Sequence, residues 1–357
     1  MRIMAWMLTK MLVMRFFVIL LGITAFVIML DLIAYADDVL KLHDNDFWFL
    51  GYYALLRSPG VMAQFVVIST LLAALLMLTD VSRHSELVAI WSSGISHFRI
   101  IAALLPVAAV IGIANFLIVD LAIPRAAPIL VEWGIGEHSQ KQLNIGKDDP
   151  IWMRAGNDVL RAVKSNDEAT FLEGVIIFRR DSDGLLNEQI VARQARLVNN
   201  RWALDDVAIY YRENEAPVRI DSLIYSGPLR PAATGTRSGD PSEMSLATLS
   251  YFIANAGFGV RPAHLYRTWW HKRITALIAA ALMILIAVPL SGRFRRGGGL
   301  GIMFATGVAM GFAFFIFDGV SLTMGELGIL PPWFAAWTPV AVFASAAGAI
   351  VFKQENL

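Results

Sequence analysis

Six stretches of almost unbroken apolar sequence, at 16–36, 61–78, 100–123, 274–290, 300–322 and 333–352, set what this 357-residue chain can fold into. Crossing the roughly 30 Å hydrocarbon core of a bilayer takes about 20 predominantly apolar residues in a helix, and each stretch comes close to or exceeds that length. Overall, 57% of residues are hydrophobic and 17% charged, against about 45–50% and 25% in ordinary soluble domains. The scarce charge is also unevenly placed, since 35 of the 59 Lys, Arg, Asp and Glu residues lie between Pro124 and His271. Apolar ends and a polar middle therefore predict three spanning helices, an inserted domain and three more spanning helices.

The first stretch follows Arg2, Lys10 and Arg15 and ends in Ala34-Tyr35-Ala36, a small-x-small pattern also found at secretory cleavage sites. It is longer than the roughly 7–15-residue apolar region of a signal peptide, so a retained span is expected. Orientation follows from the excess of Lys and Arg in short cytoplasmic loops. Arg2, Lys10 and Arg15, then Arg83 and Arg99, then Arg293, Arg295 and Arg296, and finally Lys353 all fall on one side. Both termini are predicted cytoplasmic, and the polar middle is predicted to be exported.

Within that middle, short runs rich in β-branched and aromatic residues occur at 151–153, 159–163, 171–178, 190–198, 202–211 and 218–225, bounded by turn signals such as Ala155-Gly156-Asn157 and Asn199-Asn200. They read as antiparallel strands of an all-β domain over 124–265, between membrane segments 1–123 and 266–357. Alternation along 191–198 is only partial. Such a domain can be a structural plug, or its apolar face and strand edges can receive lipid chains or pair with another sheet.

Several chemistries find no residues. A phosphate loop is missing, because Gly297–Gly299 lacks the Lys-Ser/Thr that would hold phosphate and magnesium. His138 follows Glu137 with no second His four residues away, no G-x-S-x-G elbow occurs, and zero cysteines exclude disulfides and thiolate zinc sites. A net charge of +1 gives no field for nucleic acid. No catalytic residue, metal site or cofactor is assigned.

Ionisable residues inside spans are functional candidates by default. Asp31 and Asp120 lie near span ends, where water or a lysine is in reach, whereas Asp318 is deeper and needs a polar cavity or an interhelical partner. Arg57, Arg125, Lys272 and Arg273 flank spans, where cations ordinarily snorkel to headgroups. With Lys41, Arg57 and Arg125 could instead attract an anionic headgroup at a cavity mouth. Gly307-x-x-x-Gly311 permits close helix approach, within the bundle or at an interface. Between spans two and three, Leu87, Ile90 and Trp91 share one helical face, with Gly94 as a stop, so 82–94 reads as a short amphipathic cytoplasmic helix resting on headgroups or docking in a partner's groove.

The stretch Ser85-Glu86-Leu87-Val88-Ala89-Ile90-Trp91-Ser92-Ser93-Gly94 closely resembles the coupling-helix region of the LptF/LptG lipopolysaccharide export permeases. The likeness extends to Pro59, Pro124, Trp270-His271-Lys272, Gly292–Gly301, Phe317-Asp318 and Gly328-Ile329-Leu330-Pro331-Pro332. The stretch from Pro150 to Asn157 looks more like the LptG branch.

The resemblance implies an inner-membrane permease with a jellyroll-like periplasmic domain. Its partners would be an LptF-like permease, an LptB-like ATPase dimer that binds ATP and Mg, and an LptC-like single-span protein. Glu86, Leu87, Ile90, Trp91 and Gly94 would couple to the ATPase. Of the lipid contacts that the resemblance implies, only Lys41 and Arg125 carry over, with Arg57 and Phe65 as further candidates from the residues themselves, while Gly307, Gly311 and Asp318 would belong to a gate or its packing. The chain departs from the family where basic residues are expected late in span one, which reads Ile33-Ala34-Tyr35-Ala36, and after Arg125, which no arginine follows before Lys141. The competing reading is a non-transporting membrane scaffold that displays a β-sheet binding domain.

Overall fold

In lipid a backbone N–H or C=O finds no partner outside the protein, so an apolar stretch closes its hydrogen bonds within a helix. The computed structural model describes residues 2–83, 92, 96–138, 151–155, 157–165, 170–181, 185–199, 201–212, 216–227, 240–254, 257–258, 261–293 and 300–355. All six stretches lie in helices long and apolar enough to cross a membrane. Three precede the inserted region: α1 (Arg2–Leu42), α2 (Trp48–Arg83) and α3 (His97–Leu117), which runs on through a π turn into α4 (Ile123–Trp133). After the short α5 (Leu246–Ala254) come α6 (Ala263–Arg293), α7 (Leu300–Glu326) and α8 (Pro332–Glu355). The chain divides into two units, Met1–Ala126 with Thr268–Leu357, and Ala127–Arg267.

Prolines inside these helices remove donors that the ladder needs, and neighbouring side chains replace them. Pro59, expected before the second span, lies within α2. It cannot donate to the carbonyl four residues back, and Ser58 Oγ donates to that oxygen, on Leu55, at 2.8 Å. Pro339 likewise leaves the Ala335 carbonyl of α8 without its helical donor, and Ser321 Oγ of α7 supplies one at 2.7 Å. In the π turn Ile118–Ala122, the Ile123 N–H bonds to Ile118 O. The next bond in that register would run from Pro124 to Val119 O, but proline has no N–H. Arg273 Nη1 of α6 donates there at 2.9 Å. Two of these three repairs join different helices, so proline positions help to fix the bundle.

The membrane unit packs around Leu8, Leu12, Leu71, Leu75, Leu78, Leu104, Ala108, Ile286 and Ala287, each at most 1% exposed. Small residues set the closest approaches. A Cβ on Gly112 of α3 would lie 2.0 Å from the Leu277 carbonyl oxygen of α6, while Cβ atoms on Gly307 and Gly311 would each lie 2.4 Å from leucine methyls of α2, on Leu75 and Leu71. Two ion pairs tie α1 to α2: Arg15 Nη2 to Asp80 Oδ2 at 2.6 Å and Arg57 Nε to Asp31 Oδ2 at 2.9 Å.

In the inserted unit the strands are β1 (Ile151–Ala155), β2 (Asp158–Ala162), β3 (Lys164–Ser165), β4 (Phe171–Arg180), β5 (Leu186–Val198), β6 (Arg201–Tyr211) and β7 (Val218–Tyr225). They form an antiparallel sheet in the order β1-β2-β4-β5-β6-β7, with β3 beside β4. A small hairpin, β8 (Gly257–Phe258) with β9 (Arg261–Pro262), follows α5. The partial alternation along β5 has a structural cause. Gly174 in β4, Arg193 in β5 and Asp206 in β6 all drop out of pairing at the same level. Gly174 and Asp206 take positive φ, +62° and +56°. Across this line the inward phase shifts by one residue, from Leu172 to Val175 and Ile177, from Ala192 to Ala195, and from Leu204 to Val207. A Cβ at Gly174 would also lie 2.7 Å from Val163 Cγ2.

Tyr225, 1% exposed at the end of β7, donates its hydroxyl to Asp158 Oδ2 of β2 at 2.9 Å. Burial first, and the Asp158 carboxylate second, push this phenol well above its usual value. The unit is not purely β, because α5 adds Leu249 and Phe252 to its buried residues.

Candidate functional site

Along α6, Trp269, Lys272, Ala276, Ala279 and Met283 recur every three or four residues and so share one face. That face borders a cavity of about 440 Å³ whose other walls come from Phe65 and Leu71 of α2, Asn115 of α3, Val119 of the π turn, Gly311, Phe315 and Asp318 of α7, and Val340 of α8. The lining is mostly apolar, with a polar cluster two to three turns into α6. There Lys272 Nζ donates to both carboxylate oxygens of Asp318. Their side chains are only 25% and 17% exposed. Three residues earlier, Trp269 Nε1 donates to Glu326 Oε1 at 2.6 Å, so a second polar bond joins α6 to α7. Arg273 is 2% exposed and Asn115 4% exposed. Asn115 Oδ1 has no hydrogen-bond partner among the described residues.

Lys272 and Arg273, read from sequence as snorkelling cations, do not behave that way. One neutralises a carboxylate between helices and the other repairs the proline-interrupted turn. Charges this far into an apolar bundle are expensive unless they are paired and hydrogen-bonded, and this pairing supplies the partners. Of the two settings weighed for Asp318, a polar cavity or an interhelical partner, the structure supplies the partner, Lys272, beside a mostly apolar cavity.

The remaining sequence-derived residues are dispersed. Phe65, Gly311 and Asp318 line this cavity together. Gly307 packs one turn further along α7, against Leu75. Arg57 is held by Asp31, Lys41 is exposed in the last turn of α1, and Arg125 is exposed with Nη1 donating to Leu121 O at 3.2 Å. Lys41, Arg57 and Arg125 are not among the residues that line the cavity with Phe65. Glu86, Leu87, Ile90, Trp91 and Gly94 lie outside the described residues. Asn115, Trp269 and Lys272 were not selected from sequence as site residues. In sequence Lys272 is a cation flanking a span and part of the Trp270-His271-Lys272 motif, with no sign of its pairing to Asp318. Among the described residues no group of three or more His, Asp or Glu could hold a metal ion.

Comparison with known proteins matches residues 6–353 to the family "Lipopolysaccharide export system permease LptF/LptG". The chain is 25% identical over 327 residues to the lipopolysaccharide export system permease protein LptG of Haemophilus influenzae, covering 84% of each chain. It is 22% identical over 321 residues to the protein of the same name in Escherichia coli, covering 87% of this chain and 88% of that one. The match takes in both helical halves and the inserted sheet together, and the chain accordingly belongs to the LptF/LptG family of lipopolysaccharide export permeases.

Proposed function

We propose that this chain is the membrane permease subunit of an ABC transporter that draws lipopolysaccharide from the inner membrane and passes it toward the outer membrane along a periplasmic β-sheet bridge. The observation that carries this reading is the family match over residues 6–353. On this reading the termini are cytoplasmic, the inserted sheet is periplasmic, and ATP is hydrolysed on a separate chain. The partners are a second, LptF-like permease, an LptB-like ATPase dimer that binds ATP and Mg, and an LptC-like single-span protein.

The two least buried spanning helices support a paired permease. Only 17% of the most apolar window of α1 and 22% of that of α7 are buried, against 67% for α6. Phe17, Leu21 and Phe26 on α1, and Phe312, Phe315 and Ile316 on α7, are exposed and apolar. Such faces suit lipid or a second permease, where the gate of an export path would form. β1 and β7 are the ends of the described sheet, and a sheet edge can extend onto a neighbouring β domain. Lys41, Arg57, Phe65 and Arg125 remain the proposed lipid contacts. Arg57 would bring a phosphate beside the Asp31 carboxylate that already accepts its Nε–H.

The test is at the cytoplasmic loop. Glu86→Lys with Trp91→Ala should abolish copurification of the ATPase and lipid export together, because Glu86 and Trp91 are assigned to its groove. Unchanged copurification and export would instead favour a scaffold that merely displays the sheet.

A further inference from the structure

The α1 face proposed above as part of the export gate belongs to a helix with little other support. α1 is the least buried span, at 17% of its most apolar window, and it packs mainly along α2. In lipid, apolar contact holds two helices only weakly in register, because lipid tails are as apolar as the facing side chains. Ion pairs fix register, and this interface carries two. Arg57 Nε donates to Asp31 Oδ2 at 2.9 Å, with side chains 16% and 18% exposed. Arg15 Nη2 donates to Asp80 Oδ2 at 2.6 Å. Arg15 Nη1 is enclosed and has no hydrogen-bond partner among the described residues, so the guanidinium leans on Asp80. Along α1 the two pairs are 16 residues apart, about 24 Å of helix. A slip of one turn, about 5.4 Å, would open both together and separate opposite charges where lipid screens them poorly.

α2 also meets the other exposed helix, because Gly307 and Gly311 of α7 seat against its fully buried Leu75 and Leu71. It ends at Arg83, inside the segment 82–94 read above as the coupling helix. Asp80 therefore lies within one turn of the point where motion of the ATPase would enter. We propose that α1 and α2 move as one rigid arm fastened by Arg15–Asp80 and Asp31–Arg57, with Arg15 and Asp80 as positioning residues that pass motion of the coupling segment to the α1 gate face. The proposal rests on the export reading and adds to it the route of the motion: α1 is driven through α2. An arm that moves whole tolerates a permanent tie between its two helices. A gate opened by α1 sliding over α2 does not.

The test uses the full-length chain with its copurifying partners in proteoliposomes, reading ATP hydrolysis and extraction of lipopolysaccharide side by side. The chain has no cysteine, so Arg15→Cys with Asp80→Cys places its only two thiols at the fastening. A bis(methanethiosulfonate) reagent bridges them reversibly, with the wild-type complex treated alike as control. Unbridged, this variant and Arg15→Gln should hydrolyse ATP at the wild-type rate but extract less lipid per ATP, on the order of tenfold. Bridging should restore the yield, and dithiothreitol should remove it again in the same folded sample. Wild-type yield in Arg15→Gln, a bridge that leaves the yield low or lowers it further, or hydrolysis that falls in proportion to extraction would each overturn the proposal. Failure of the wild-type complex to extract lipid at all would overturn the export reading, and the proposal with it.

Discussion

Ser321→Ala isolates one interhelical bond whose need was created by a proline. Pro339 cannot donate to the Ala335 carbonyl, and Ser321 Oγ does so from the neighbouring helix at 2.7 Å. Both ends are shielded, with Ala335 1% and Ser321 5% exposed, so water cannot readily replace the hydroxyl. A buried acceptor left unpaired costs about 1–3 kcal/mol, whereas measured side-chain bonds between membrane helices average about 0.6 and reach about 1.7 kcal/mol. The burial here places the expected cost of Ser321→Ala at about 1–2 kcal/mol. In a Pro339→Ala background the restored N–H gives Ala335 O its helical partner, and the same substitution should cost less than about 0.5 kcal/mol. The assay is equilibrium unfolding in mixed micelles of all four members of the cycle. Equal costs of Ser321→Ala in both backgrounds would refute the idea that the serine repairs the proline's missing bond.

Three other perturbations follow from particular contacts. Gly112→Ala forces a methyl to within 2.0 Å of a backbone oxygen and should cost about 3 kcal/mol or more, since backbone yields less readily than a side chain; Gly22→Ala, with nothing within 4 Å, is its neutral or stabilising control in the same unfolding assay. Gly311→Leu should separate α7 from α2 at Leu71, reducing thermal stability and export together, and loss of neither would show that close approach there is dispensable. In the inserted unit, the folded Tyr225 phenol has a raised pKa, so its stabilising contribution is complete below the unfolded value of about 10 and is lost as pH rises above it. Alkaline unfolding followed by circular dichroism should therefore be less steep in Tyr225→Phe, which is also less stable at neutral pH because Asp158 loses a hydroxyl donor.

Local pattern revealed the elements, while contacts between distant residues stayed hidden. Apolar length alone located all six helices, because lipid permits little else, and β-branched runs at 171–178, 202–211 and 218–225 fall within observed strands. The imperfect alternation of β5 could not be interpreted in one strand, because its cause crosses three: Gly174, Arg193 and Asp206. Lys272 looked like any cation flanking a span, and its partner Asp318 lies 46 residues away. Arg57 and Asp31 raised the same problem, since an arginine suited to a lipid phosphate is equally suited to a carboxylate on the next helix. α5 was missed because Leu246–Ala254 is short and follows a stretch rich in Gly, Ser, Thr and Pro. In each case the missing information was which helix or strand packs beside which.

The most direct measurement is the arrival of newly made lipopolysaccharide at the outer surface of cells from which this chain has been depleted and then restored from a plasmid. Export by this subunit predicts that surface arrival falls on depletion, that lipopolysaccharide accumulates in the inner membrane, and that the wild-type chain restores export while Glu86→Lys with Trp91→Ala does not. Undiminished arrival after depletion, with no second LptG-like permease in the cell, would contradict it.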